Sequence, residues 1–417
     1  MKDIELYTQL LGLRAPWQVT SVDFNPQQHS VKVFVSADAA ETSWCCPQCG
    51  RPAPRYDKRT RQWRHLDTMQ FKTLLEAEIP RVQCADHGVL QVKVPWAEAG
   101  SGFTALFEAM TVFWLKQAST KAVAEALSLS WNAVDGIMQR AVRRGLLRRA
   151  ELQPKRLSVD ETSFQKRHEY VTVVTDQQTG HVLHVADDRT SESLESFYSR
   201  LTDAQRAEIE AVAMDMWPAY IKATRAQVPD AEQKIAFDKF HVAKYLGDGV
   251  DKVRRQEHRQ LQSEGDQTLK GSKYQWLRNP QNMSRDHLKA FTALRDSHLK
   301  TARAWAMKEM AMDIWRYRVR GWAAKAWTQW FSWAQRCRLE PMKKVAATLK
   351  AHLWGIMNAM SLDVNNAIAE SVNARIQKIK ARACGFRNRE RFRNAIYFHC
   401  GGLDLTPDGV DQAWLPT

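Results

Sequence analysis

Five apolar runs between residues 157 and 237 constrain this chain more than any other feature, because two of them close on an acid. Leu157-Ser158-Val159-Asp160 and Ala211-Val212-Ala213-Met214-Asp215 read as short buried strands whose last residue is aspartate. Strands apolar on both faces belong in a covered sheet, and as parallel neighbours these two would bring their carboxylates side by side. Such a pair can hold a divalent cation between oxygens. Taken singly, each aspartate is equally compatible with a turn at a strand end. A third acid, Glu370, is the sole one from Val364 to Arg389, among Arg375, Lys378, Lys380, Arg382, Arg387 and Arg389. Ile368, Val372, Ile376 and Ile379 form an apolar stripe there, which puts Asn366, Glu370, Asn373 and Gln377 on the polar face. Alone on that face, Glu370 reads as a solvated residue. The three acids together give it another meaning.

The runs around Asp160 and Asp215 set an order. Tyr170 to Thr175 and His181 to Ala186 flank Asp176-Gln177-Gln178-Thr179-Gly180, an antiparallel hairpin signal. A helix from Ser191 to Leu201, the Asp215 strand, a helix after Trp217-Pro218 and the strand Ile235-Ala236-Phe237 follow. The order βββαβαβ is that of an RNase H-like fold, in which the first and fourth strands are neighbours.

With a net charge of +15 and a pI near 9.5, the chain calls for a polyanionic partner, since each neutralised phosphate releases counterions. Nucleic acid is the first candidate. No apolar run reaches the length of a membrane-spanning helix, and Met1-Lys2-Asp3-Ile4-Glu5 lacks a signal peptide's pattern, so a soluble intracellular protein with no membrane partner is expected. Seven cysteines suit a reducing compartment. Basic clusters occur at Arg55 to Arg64, Arg140 to Arg156 and Arg375 to Arg393, a pattern suited to tracking a phosphate backbone.

Residues 17 to 35 alternate as a hairpin across Asn25-Pro26-Gln27-Gln28. Cys46-Pro47-Gln48-Cys49 and Cys84-Ala85-Asp86-His87 then supply two ligand pairs for a closed, tetrahedral structural zinc. From Phe103 the pattern turns helical. One face carries Phe103, Leu106, Phe107, Met110, Phe113 and Trp114, a second Ala122, Val123, Ala126 and Leu127, and a third Val134, Ile137, Met138 and Ala141. Ser128-Leu129-Ser130 is a tight turn with Ser130 as the next helix cap, as in a helix-turn-helix. Trp131, Asn132, Asp135 and Gln139 are then the expected base readers, with Arg140, Arg143 and Arg144 on phosphates. A three-helix bundle of any purpose has similar periodicity.

Along nearly its full length the chain resembles the ISL-three family of bacterial insertion-sequence transposases, which carry a DDE catalytic core. The resemblance lies in the paired Cys and His ligands, Ser158-Val159-Asp160-Glu161, Met214-Asp215-Met216-Trp217, Asp238-Lys239-Phe240-His241-Val242, and Asn365-Asn366 through Glu370, Asn373 and Gly385-Phe386. It implies that Asp160, Asp215 and Glu370 are the catalytic triad, holding two Mg²⁺ or Mn²⁺ ions. Two ions roughly 3.5–4 Å apart activate water to cut a DNA strand and then activate the freed 3′-hydroxyl for transfer. His241 is either a phosphate-contacting neighbour of this site or a structural histidine at a helix start.

The resemblance also implies double-stranded DNA, both transposon ends and target, as the substrate in the bacterial cytoplasm around the nucleoid. A homodimer is expected because two ends are cut together. Arg375, Lys378, Arg382 and Arg387 would meet duplex DNA of any sequence.

The fold class expected is multidomain α+β. It comprises an N-terminal zinc-binding β module at 1–100, a helix-turn-helix at 101–150 and an RNase H-like α/β catalytic core from 151–242. An all-α insertion at 243–362 interrupts the core, and C-terminal helices at 363–417 complete it. The insertion carries eight of the sixteen tryptophans, mostly core residues by their spacing, one or two of them candidates for stacking on unpaired bases. Two other functions share these features: a DNA nuclease on the RNase H fold, and a non-catalytic DNA-binding regulator derived from a transposase.

Overall fold

The computed structural model describes residues 3–37, 43–165, 169–278, 283–362, 364 and 367–411. Asn365 and Asn366 lie outside them. The chain divides into two compact units, Met1–Arg149 with Tyr397–His399 and Leu403–Thr417, and Ala150–Ile396 with Cys400–Gly402.

The first unit opens with α1 (Asp3–Leu10) and a sheet of β1 (Trp17–Asn25), β2 (Ser30–Ala37), β3 (Arg55–Arg64), β4 (Lys72–Cys84) and β5 (Gly88–Gln91), in the order β1-β2-β4-β3 with β5 on β4. The alternation read in residues 17–35 is the β1–β2 hairpin, whose turn Asn25 closes by accepting from the Gln28 N–H at 2.9 Å. Trp17, Trp63, Trp96, Leu75 and Ile79 fill this small core.

Three helices follow, α2 (Ala105–Gln117), α3 (Thr120–Ala126) and α4 (Trp131–Arg148). Ser128 sits in the left-handed region at φ 52°, and the Ser130 hydroxyl caps α4 by accepting from the Ala133 N–H. The face α2 buries differs from the apolar count. Phe107, Val112 and Leu115 are inside with Glu108 and Thr111, while Trp114 is exposed. An ion pair explains the rotation: Arg140 of α4 donates to the buried Glu108 carboxylate at 2.8 and 2.5 Å, with the Ser101 hydroxyl at 2.7 Å.

The second unit carries β6 (Arg156–Gln165), β7 (Glu169–Asp176), β8 (Val182–Asp187), α5 (Ser191–Tyr198), α6 (Asp203–Ala207), β9 (Ala211–Met214), α7 (Pro218–Gln227), α8 (Ala231–Lys234) and β10 (Ile235–Phe237). The sheet order is β10-β9-β6-β7-β8, antiparallel through β6, β7 and β8 and parallel through β6, β9 and β10. This is the RNase H-like order.

Between β10 and the closing helices lie α9 (Lys239–Ser263), α10 (Lys273–Leu277), α11 (Arg285–Arg295), α12 (Lys300–Asp313), α13 (Arg320–Arg336), α14 (Glu340–Ala351) and α15 (Leu353–Ser361). The described residues of this stretch form helices, and their apolar side chains join the core of the sheet. One apolar cluster runs from Leu157, Val212 and Phe237 of the sheet through Val242 and Leu246 to Trp276, Trp327 and Trp330. The junction is close at Gly355, where a Cβ would stand 2.5 Å from the Phe237 ring. Asn358 ties α15 to the sheet edge by donating to the Glu232 and Ile235 carbonyls at 2.7 and 2.9 Å. Finally come α16 (Ala367–Arg382) and α17 (Arg389–Cys400).

Candidate active site and zinc centre

Parallel pairing of β6 with β9 matches Ser158 to Ala213, so two residues further on Asp160 and Asp215 stand at the same level. β10 continues the pattern by matching Phe237 to Met214, which brings Asp238 to the next strand end. Asp238 starts α9, accepting from the Phe240 N–H at 3.1 Å. One turn into α9, His241 Nδ1 lies 3.7 Å from an Asp215 oxygen. His241 is thus both at a helix start and beside the Asp215 carboxylate.

Asp160 is the most perturbed of these groups. Burial pushes its carboxyl up to about 6; His241 and the Glu161 N–H oppose that, while the charges of Glu161 and Asp238 add to it. A cation bound at such a buried carboxyl would favour its ionised form. Its oxygens accept from the Glu161 N–H at 2.8 Å and from the Asn373 amide at 2.5 Å.

Asn373 lies on α16, which runs along β6. Gln377 donates to the Thr162 hydroxyl at 2.8 Å and Lys380 to the Ser163 carbonyl at 2.8 Å. The polar face of α16 is therefore turned onto β6, while Val372 and Ile376 are also buried. Glu370 is exposed, three residues before Asn373. Among the described residues no three carboxylates gather within ligand distance of one another, so Glu370 is not drawn together with Asp160 and Asp215.

The residues missed in the sequence are those holding this framework. Glu161 meets Arg189 at 3.4 Å, and Arg189 stacks over Trp217 at 4.4 Å and Tyr170 at 4.8 Å. Asn373 and Asp238 stood in recognisable motifs without an assigned role. Arg189 had no signal at all, since a lone arginine in a loop shows nothing of what it packs on. Arg375, Lys378, Arg382 and Arg387 are exposed.

In the first unit, the Cys46–Cys49 knuckle precedes β3, and the end of β4 presents Cys84 and His87. Cys46 Sγ and Cys84 Sγ lie 3.7 and 3.4 Å from His87 Nδ1, and Cys49 Sγ lies 3.7 Å from Cys84 Sγ. All four donors fall within 4.8 Å of one another, the spacing of a tetrahedral thiolate and imidazole set. The Arg51 N–H and guanidinium hold the Cys49 thiol below its ordinary range, and the His87 N–H does the same for Cys84. Cys46 accepts from the Cys49 N–H, which lowers it, but burial and the neighbouring thiols leave it raised. Closed on four protein ligands, the site suits a structural zinc.

On the helix-turn-helix, the expected readers separate. Trp131, Asn132 and Arg143 are exposed and Gln139 is half-buried. Asp135 is buried and accepts from Gln139 at 2.8 Å. Arg140 is held by Glu108, and Arg144 is buried, paired with Glu98 and donating to the Leu405 carbonyl at 2.7 Å. Contrary to the sequence expectation, Asp135, Arg140 and Arg144 thus have partners inside their own unit, because helical spacing alone does not distinguish a cation facing solvent from one facing a buried carboxylate.

A β module with a Cys3His zinc-type cluster, a helix-turn-helix and an RNase H-like sheet with acids at its central strand ends define the class of DDE-type transposases. The family description "Transposase" of the ISL3 DDE group matches residues 157–396, the zinc finger of transposases IS204/IS1001/IS1096/IS1165 matches 42–87, and the helix-turn-helix domain of transposase family ISL3 matches 92–142. The transposase for insertion sequence element IS1557 of Mycobacterium tuberculosis is 30% identical over 423 residues, covering 93% of each chain. That for element IS1001 of Bordetella parapertussis is 28% identical over 352 residues, covering 83% of this chain and 86% of the relative. The chain belongs to the ISL3 family of insertion-sequence transposases. No helix among the described residues is long and apolar enough to cross a membrane.

Proposed function

We propose that the protein binds the terminal inverted repeats of an insertion sequence and cuts and joins DNA strands at a site built from Asp160, Asp215 and Glu370. The observation that carries this reading is the alignment of Asp160 and Asp215 on paired parallel strands, with burial raising Asp160 to about 6 among further acids. Hard oxygen donors in that setting fit Mg²⁺ or Mn²⁺. When bound, a metal pair supplies Lewis-acid activation of water, of the 3′-hydroxyl and of the leaving oxygen.

The chain's own residues orient the centre. Asn373 and the Glu161 N–H fix the Asp160 oxygens, and the Met216 N–H fixes Asp215 at 2.6 Å. His241 stands where it can meet a phosphate oxygen or hold Asp215. Glu370 joins as third ligand if the first turn of α16 shifts toward the strand ends. Trp131, Asn132 and Gln139 read base edges, with Arg143 on phosphate, and Arg375, Lys378, Arg382 and Arg387 engage duplex backbone. Two copies act together, one for each end.

Asp160→Asn, Asp215→Asn and Glu370→Gln keep shape and remove charge. Each is expected to lower Mg²⁺-dependent cleavage of end DNA by at least about a thousandfold while binding persists. Near-normal cleavage by Glu370→Gln would remove it from the triad. Normal cleavage by either asparagine variant would defeat the reading.

A further inference from the structure

Helix α9 starts at the candidate active site and leads away from it. His241, Tyr245, Lys252, Gln256 and Arg259 share one side at helical spacing, and Tyr245 lies within the field of Asp215. α14 crosses α9 at Gly249, where a Cβ would stand 3.0 Å from Met342 Sδ and from Val345 Cγ2. The crossing leaves an open groove of about 600 Å³ with Pro341 and Val345 among its walls and Tyr245 at the end nearer the carboxylates.

The cations of this groove converge. Lys252, Arg255, Arg259 and Lys344 line it against one acid, Glu340. That acid accepts from Lys343 at 2.8 Å, and Arg255 is engaged by Asp251 at 3.1 Å. Lys252, Arg259 and Lys344, all exposed, leave the groove with excess positive charge. From His241 to Arg259 the helix rises about 27 Å, close to eight steps of a B-form backbone. An apolar wall beneath a cationic rim matches a sugar-phosphate strand, which presents deoxyribose and charge in alternation.

We propose that the α9–α14 groove is a DNA-backbone subsite that carries the duplex away from the catalytic carboxylates, with Lys252, Arg259 and Lys344 as phosphate contacts. The proposal rests on the reading of Asp160 and Asp215 as the cleavage centre.

The test uses the full chain and measures binding of a labelled end duplex by anisotropy across a salt series. Replacing Lys252, Arg259 and Lys344 together by glutamine should lower the slope of log affinity against log salt by about 2.7, roughly 0.9 per lost contact, and weaken binding at least tenfold near 0.15 M salt. Arg259→Gln alone, which guards against misfolding of the triple variant, should lower it by about 0.9. Lys252→Arg with Lys344→Arg keeps the charge and should keep the slope. The series is repeated in an Asp160→Asn background, so that slope loss without any cleavage still supports the groove, whereas a wild-type chain that never cuts defeats only the catalytic reading. An unchanged slope in the triple variant overturns the proposal. So does displacement of an acidic peptide from the groove with DNA binding unaltered.

Discussion

Arginines of α4 divide by what they face, and the division makes a test. Arg140 compensates a buried carboxylate; its removal leaves Glu108 charged and unpaired inside the unit, which typically costs about 3–5 kcal/mol. Arg143 is exposed on the same helix. Arg140→Ala should therefore lower the melting temperature of the first unit markedly. Arg143→Ala should leave stability within about 0.5 kcal/mol and lower the salt slope of DNA binding by about 1. Calorimetry and salt titration of both variants check this; equal stability losses would contradict the division.

Histidine sets a pH dependence at the same scale. His184 is buried, its Nε2 2.9 Å from the Ser196 hydroxyl, and burial with the charges of Arg200 and Arg393 lowers it from 6.5 to about 4. His65, 2.9 Å from the Thr104 hydroxyl, is likewise lowered to about 4 by burial and Arg64. Both are neutral in the folded chain, so the unfolded state binds more protons between pH 6.5 and 4. Stability is full above that window, falls as the pH drops through it by at most about 1.4 kcal/mol per unit for each histidine, and levels off below. In urea titrations from pH 7.5 to 4, His184→Gln should show a shallower decline than the parent. An identical decline would remove His184 as a source.

At the scale of elements, the strands of the RNase H-like sheet were readable because each is a short apolar run with a marked end. The Asp176–Gly180 turn, the two ligand pairs and the Ser130 cap were readable for the same reason, since each rests on residues a few positions apart. Long-range pairings were not. The Glu108–Arg140 pair joins two helices, and it turned α2 by a face that periodicity had assigned otherwise. The tryptophans of the inserted helices illustrate the same limit. Trp276, Trp327 and Trp330 are fully buried, whereas Trp322, on the same helix as Trp327 and Trp330, is 59% exposed with Lys325 over its ring. Trp327→Ala should cost about 3–5 kcal/mol and disturb the whole second unit, since the cluster it fills is continuous with the sheet. Trp322→Ala should cost under about 0.5 kcal/mol. Denaturant midpoints distinguish them, and a local loss in Trp327→Ala that leaves the sheet intact would argue for an independent inserted core.

The whole chain departs from a linear order of modules. By its sequence pattern a helix-turn-helix ends near Arg149, but its last helix is held by residues 403–411. Arg144 donates to the Leu405 carbonyl, and Arg148 donates to Asp404 at 2.9 Å, to the Thr406 carbonyl at 2.6 Å and to Asp408. Residues 403–411 therefore act as part of the first unit, and a fragment of residues 1–149 lacks them. Deleting everything after Gly402 removes the carbonyl that satisfies a buried guanidinium and strips most of the acids from Arg148. The expected outcome is a lower first-unit transition, by about 1–3 kcal/mol, with zinc retained because its ligands lie elsewhere in that unit. Discrimination between end DNA and random duplex should fall with it, since the reading helix loses its anchor. Supplying residues 403–417 to the 1–149 fragment through a flexible linker should restore both properties. Were the fragment alone as stable and as selective as the full chain, the tail would be a bystander and α4 self-sufficient.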